Sequence, residues 1–201
     1  EDLIESGHAY YCFMTDAEID QEKQKSKDEG RIYLHPRTYA MLTKDEIADR
    51  IQNKEPYTIR FKMTADRQLV FKDMIRNPIE FDCSIISDFV IMKSDGSPSY
   101  NFAVVVDDSS MNITHVIRGE DHISNMPKQL SLYKALDVAA PEFAHLPMIL
   151  GPDKSKLSKR HGATAVTEYR DQGYLPEALL NYLALLGWSP KDEQEILSKA
   201  D

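Results

Sequence analysis

The chain has 201 residues and a formal net charge of −9, which argues against broad non-specific nucleic-acid binding but leaves room for a local basic face. An apolar share of 42% with 28% charged residues fits one folded domain or two small ones, and no run of roughly eighteen apolar residues marks a membrane span. Cys12 and Cys83 are too few for a disulfide framework and read as free thiols; with no signal peptide at the start, the expectation is a cytoplasmic protein without membrane contact.

Leu3 and Ile4 before Gly7 predict the end of a short helix. Thr15-Asp16-Ala17-Glu18 has the form of a capping box and should start a polar, solvated helix through Lys27. Thr43-Lys44-Asp45-Glu46 repeats the device and opens a helix to about Asn53. Tyr57 to Met63 alternates and is rich in β-formers, and Leu69–Lys72 and Ile79–Asp82 follow as short strands. Phe89 to Met92 and Thr114 to Arg118 read as strands buried on both faces, while Phe102 to Val106 fits either strand or buried helix. The second buried strand ends in Arg118-Gly119-Glu120-Asp121-His122, and polar groups at such a strand end mark where open α/β sheets bind ligands. Ser124 or Asn125 should cap a helix with Pro127 in its first turn and Leu130, Tyr133 and Leu136 on its apolar face. Phe143 to Leu150 predicts a further strand. Val166–Gln172 predicts a short helix, and Pro176 opens a stronger one whose buried stripe would be Leu179, Leu180, Leu183 and Leu186, with Trp188 beside it.

Between these elements lies Gly151 to Thr164, GPDKSKLSKRHGAT. Turn chemistry opens it, and Lys154, Lys156, Lys159 and Arg160 then place four cations within seven residues of an otherwise acidic chain. Ser155, Ser158, Gly162 and Ala163 let backbone and hydroxyls approach a ligand closely, a pattern suited to polyphosphate. The chemistry would be electrostatic, with fixed cations meeting charge that develops on phosphate oxygens. A solvated loop with incidental lysines is the competing interpretation.

Lys156-Leu157-Ser158-Lys159-Arg160 resembles the KMSKS signature of class I aminoacyl-tRNA synthetases. The run from Lys156 to Trp188 and the block Thr114 to Pro127 (THVIRGEDHISNMP) resemble bacterial-type glutamyl-tRNA synthetase in particular. The resemblance implies an α/β fold: an α+β insertion domain that grips the tRNA acceptor end (residues 1–82, with the end of an entry helix), the second half of a Rossmann-like catalytic domain (83–150), and the KMSKS-like loop with the start of a helical stem-contact domain (151–201). It implies ligation of L-glutamate to tRNA(Glu) with ATP and Mg2+ as substrate, through a glutamyl-adenylate, by a protein that is monomeric in the family.

Residue by residue, the resemblance implies Lys156 and Lys159 as the phosphate-stabilising pair. It puts Asp121, Ile149, Ser158 and Lys159 at ATP, and Tyr100, Arg118 and His122 at the amino acid. Arg160 would contact phosphate or RNA. Arg118 suits its task chemically, because a guanidinium pairs bidentately with a carboxylate and so can tell glutamate from glutamine; Glu120 would orient it. The HIGH motif of class I synthetases has no counterpart here. The expectation is therefore an internal piece of a longer enzyme, inactive on its own, with the first catalytic half and the anticodon-binding domain outside it. Some family members carry zinc on a C-x-C pair and a later Cys and His. Here Cys12 is followed by Met14, and only His35 is available downstream, so no zinc is expected. A glutamine-specific relative, a fragment that only binds RNA, and a non-catalytic paralogue acting as an interaction module stay open at this point.

Overall fold

Local chemistry starts the first long helices of the fold. In the computed structural model, which describes residues 1–63, 68–151, 153–157, 165–186, 188–189 and 194–199, Thr15 and Thr43 each close a capping box. The Thr15 side chain accepts from Glu18 N while the Glu18 carboxylate takes Thr15 N–H at 2.7 Å, and Thr43 and Glu46 repeat the exchange. These pairs satisfy amides that a helix N-terminus otherwise leaves open. They open α2 (Asp16–Asp28) and α3 (Lys44–Gln52), after a four-residue α1 (Asp2–Glu5) that ends at Gly7 with φ 76°.

The chain divides into two compact units, residues 1–116 with 123–144, and residues 117–122 with 145–201. The first carries an antiparallel sheet in which β2 (Thr58–Phe61) lies between β1 (Ala9–Cys12) and β5 (Phe89–Met92). Ala9 faces Phe61 and Cys12 faces Thr58, and a register shift falls between Ile59 and Arg60 against β5. β3 (Gln68–Phe71) and β4 (Ile79–Asp82) form a separate antiparallel pair. Phe102 to Val106 resolves as helix, α4 (Tyr100–Ser110), and α5 (Met126–Ala135) has proline in its first turn. Asn125 is the N-cap of α5, without the side-chain cap bond expected of it. Phe61, Ile91, Val105, Met126, Leu132 and Phe143 are central members of the core that these elements share.

β6 (His115–Gly119) and β7 (Glu142–Leu146) make the third sheet. Two strands expected to be buried on both faces are not. Ile91 is the buried residue of β5, an edge strand, and in β6 Ile117 is 65% exposed. A continuous apolar run reports hydrophobicity, and it cannot say how many layers cover the strand. β7 also stops at Leu146, short of the strand expected to Leu150.

The second unit continues with α6 (Val166–Asp171) and α7 (Pro176–Leu185). The leucine stripe of α7 is present but not buried: Leu180 is 53% exposed, and Leu183 and Leu186 are exposed too. Trp188 does lie beside it, lining a cavity with Leu180, Ala184 and Leu197. Asn181 ties the last described segment down, donating to Glu195 O at 2.8 Å and accepting from Leu197 N at 2.7 Å.

A buried polar network holds β1 against the loops that follow α2 and precede β5. His35 Nδ1 lies 2.9 Å from Tyr10 Oη and accepts from Arg37 N at 3.3 Å, and Nε2 lies 3.4 Å from Cys12 Sγ. An amide N–H aimed at Nδ1 requires a lone pair there, so the ring is neutral and its proton is on Nε2. Burial, with the Arg60 charge, accordingly lowers the His35 pKa to about 4. The unfolded chain then takes up this proton first as pH falls, so stability is greatest above pH ~6.5 and declines toward pH ~4. The expected loss across that range is on the order of 3 kcal/mol. Urea unfolding of the wild type and His35→Asn across that range should show a steeper acid loss in the wild type; parallel curves would exclude it.

The same network speaks to zinc. Cys12 and His35 supply two N or S donors where a structural site needs four, and Met14 stands where the second cysteine of a C-x-C pair would be. These residues do not fit that site. Among the described residues, no three His, Cys, Asp or Glu side chains are grouped to hold a metal, and no helix is long and apolar enough to cross a membrane.

Candidate functional site

β6 ends at Gly119 and runs straight into the 3-10 turn Glu120–Asn125. A Cβ at position 119 would sit 2.6 Å from Asp121 Oδ1, so a side chain there would make the carboxylate shift. The Glu120 carboxylate turns toward the chain leaving β7 and accepts from Met148 N at 2.9 Å. Glu120 therefore helps to position that segment.

The segment Glu120 holds leads to the basic loop. Leu157 N donates to Ile149 O at 2.9 Å and Gly151 N to Ser155 O at 2.8 Å, and Leu150 and Lys156 face each other as an antiparallel bridge. Asp153 Oδ1 accepts from both Ser155 N and Ser155 Oγ, an Asx-type turn, and Lys154 takes a left-handed φ of 60°. The tight return carries Lys156 back to the end of β6, where its Nζ donates to Asp121 Oδ2 at 2.6 Å. That hydrogen bond above all holds the Asp121 carboxyl below the usual carboxylate range; the Lys156 and His122 charges act in the same direction and burial opposes them. The pair is intact above that range and separates as pH falls through the lowered value.

Arg118, on the last turn of β6, donates through Nε to His145 Nε2 of β7 at 3.2 Å. His145 is fully buried, at 0% exposure. Thus Arg118, Asp121, His122, Ile149 and Lys156 all belong to the second unit, around the ends of two strands. Tyr100 opens α4 in the first unit and is exposed. Ser158, Lys159 and Arg160 lie outside the described residues. His145 is absent from the motif-based set, although a histidine between Ala144 and Leu146 in an apolar strand was a legible signal.

The family model described as the catalytic domain of class I tRNA synthetases (E and Q) matches residues 1–201. The chain belongs to that family. As a member of the class I tRNA synthetases it is 53% identical over 200 residues to glutamate–tRNA ligase of Aquifex aeolicus, covering 99% of this chain and 42% of that protein. It is 52% identical over 194 residues to glutamate–tRNA ligase 1 of Caldanaerobacter subterraneus subsp. tengcongensis, covering 96% and 40%. A crystal structure of a glutamate tRNA ligase from Elizabethkingia meningosepticum in complex with its amino acid superposes with a TM-score of 0.83 at 38% identity, over 98% of this chain and 44% of that one. The synthetase chain described here thus spans about two fifths of the length of the curated relatives it matches.

Proposed function

We propose that the protein to which this chain belongs ligates L-glutamate to tRNA(Glu) through a glutamyl-adenylate. The observation that carries this is the meeting of Arg118, Asp121 and Lys156 around the strand ends of one unit: a carboxylate reader beside a cation held on a loop. The relatives' glutamate specificity supports it.

In the first step a glutamate α-carboxylate oxygen attacks the α-phosphorus of ATP, taken as its Mg2+ complex, and the bond to the pyrophosphate oxygen breaks. In the second, a ribose hydroxyl of the terminal tRNA adenosine attacks the acyl carbon; AMP leaves, and the hydroxyl proton is lost. Neither step needs a protein nucleophile. What the chain must supply is position and charge. The Arg118 guanidinium takes the side-chain carboxylate of glutamate and His122 contacts the amino acid; Tyr100 is assigned to the amino acid by the family resemblance alone. Asp121 and Ile149 receive the nucleoside, and Ser158, Lys156 and Lys159 meet the phosphates. Lys156 leaves Asp121 for phosphate when ATP enters, so the ion pair keeps the ammonium in place beforehand. Arg160 reaches phosphate or RNA.

On the same reading, residues 1–82 hold the inserted α+β domain for the tRNA acceptor end, residues 83–150 the second half of the Rossmann-like catalytic domain, and residues 151–201 the start of the stem-contact domain. The protein works in the cytoplasm and without zinc.

Lys156→Ala tests the role of the loop. A unit charge ~4 Å from phosphate contributes up to about 4 kcal/mol at an effective dielectric of ~20, so adenylate formation in the complete gene product should slow about a hundred- to a thousandfold. Folding should be unaffected, because an exposed pair contributes little to it. Lys159→Ala should behave alike. Pyrophosphate exchange in the presence of tRNA, at the wild-type rate in both variants, would exclude the loop from phosphate chemistry.

A further inference from the structure

We propose that His145 is a positioning residue for amino-acid selection, acting through Arg118; the proposal rests on Arg118 reading the glutamate side chain. A guanidinium has two edges that can take a carboxylate, one formed by Nε with a terminal nitrogen and one by the two terminal nitrogens. With the Nε–H donated to His145 Nε2 at 3.2 Å, the bidentate contact to glutamate falls to the terminal pair. The bond also fixes the plane of the guanidinium, and that plane decides whether a carboxylate or an amide fits.

His145 suits this role by its surroundings and its chemistry. It has no solvent exposure, so the ring cannot swing out of the strand. To accept from a cation, Nε2 must carry a lone pair, which makes His145 neutral with its proton on Nδ1. The acceptor thus adds no negative charge: a carboxylate there would neutralise Arg118 and weaken its grip on the substrate. A neutral acceptor orients the guanidinium without itself adding a counter-charge. The cross-strand placement makes the arrangement rigid, since Arg118 and His145 stand on β6 and β7 of one sheet.

Steady-state kinetics of the complete gene product test this with three variants. His145→Phe fills the site without an acceptor, and His145→Gln keeps an acceptor at similar reach. Arg118→Lys tests the underlying reading. His145→Phe should raise the KM for glutamate about tenfold, as expected for losing a hydrogen bond to a charged group, and should narrow the preference for glutamate over glutamine. The KM for ATP should stay within about twofold, and His145→Gln should restore the glutamate KM to within about threefold. A folded His145→Phe enzyme with an unchanged glutamate KM overturns the proposal, as does an equal rise in the KM for ATP that Gln fails to rescue. If the Phe variant does not fold, His145→Gln alone decides: a tenfold rise in glutamate KM overturns the proposal and a near-normal value supports it. If Arg118→Lys raises the glutamate KM while His145→Phe does not, the role of His145 fails alone. If Arg118→Lys has no effect, the reading of Arg118 fails and the proposal with it.

Discussion

Arg118→Ala is expected to lower kcat/KM for glutamate by about a thousandfold. Removing one partner of a desolvated, hydrogen-bonded charge pair costs roughly 2–5 kcal/mol, and each ~1.4 kcal/mol is a factor of ten. The loss should fall mainly on the KM for glutamate, because the proposed contact is made to the part of the substrate that does not react. ATP affinity should hardly change. Glutamine should lose far less than glutamate, since its amide gains little from the guanidinium, so the ratio of the two specificity constants is the sensitive readout. An equal loss for both amino acids would mean that Arg118 supports the fold and does not read the side chain.

Asp88→Ala should have the largest effect on stability, destabilising the first unit by about 3–5 kcal/mol. The Asp88 side chain is 2% exposed and its two oxygens serve four donors. Arg37 Nε and Nη2 each donate at 2.7 Å, Tyr10 Oη at 3.1 Å and Met63 N at 2.9 Å. Arg37 sits at a left-handed φ of 55°, which the two-pronged pair helps to hold. Without the carboxylate, the buried Met63 amide loses its acceptor and the Tyr10 hydroxyl is left with His35 Nδ1 alone. Asp88→Asn, which keeps one acceptor oxygen, should cost distinctly less. Hydrogen exchange of β1 and β2 amides reads this unit even where other parts unfold separately. Protection unchanged in Asp88→Ala would show that the network contributes little.

What could be seen in advance follows the range of the interactions. The capping boxes at Thr15 and Thr43 were legible because donor and acceptor are three residues apart. The strands around Thr58, Gln68 and Ile79 were legible because alternation and turn residues are local as well. Burial was not. The leucines of α7 have helical spacing, but spacing identifies an apolar side and not what covers it, and they are exposed among the described residues. Ile117 failed for the same reason in a strand. The basic loop was visible as charge against an acidic background, and the approach of Lys156 to Asp121 across 35 residues fits the site that the two motifs suggest. The bond from Arg118 to His145 spans 27 residues, and that from Arg37 to Asp88 spans 51. Pairings of that kind come from strand placement and leave no periodic trace.

What the complete gene product attaches to tRNA is the decisive measurement. Purified free of host synthetases, it should be supplied with ATP, Mg2+, tRNA(Glu) and, in parallel, labelled glutamate or labelled glutamine. The predicted result is acid-precipitable glutamyl-tRNA that depends on ATP, with little or no label from glutamine. Charging with glutamine in place of glutamate, or no charging with either by folded protein, would contradict it.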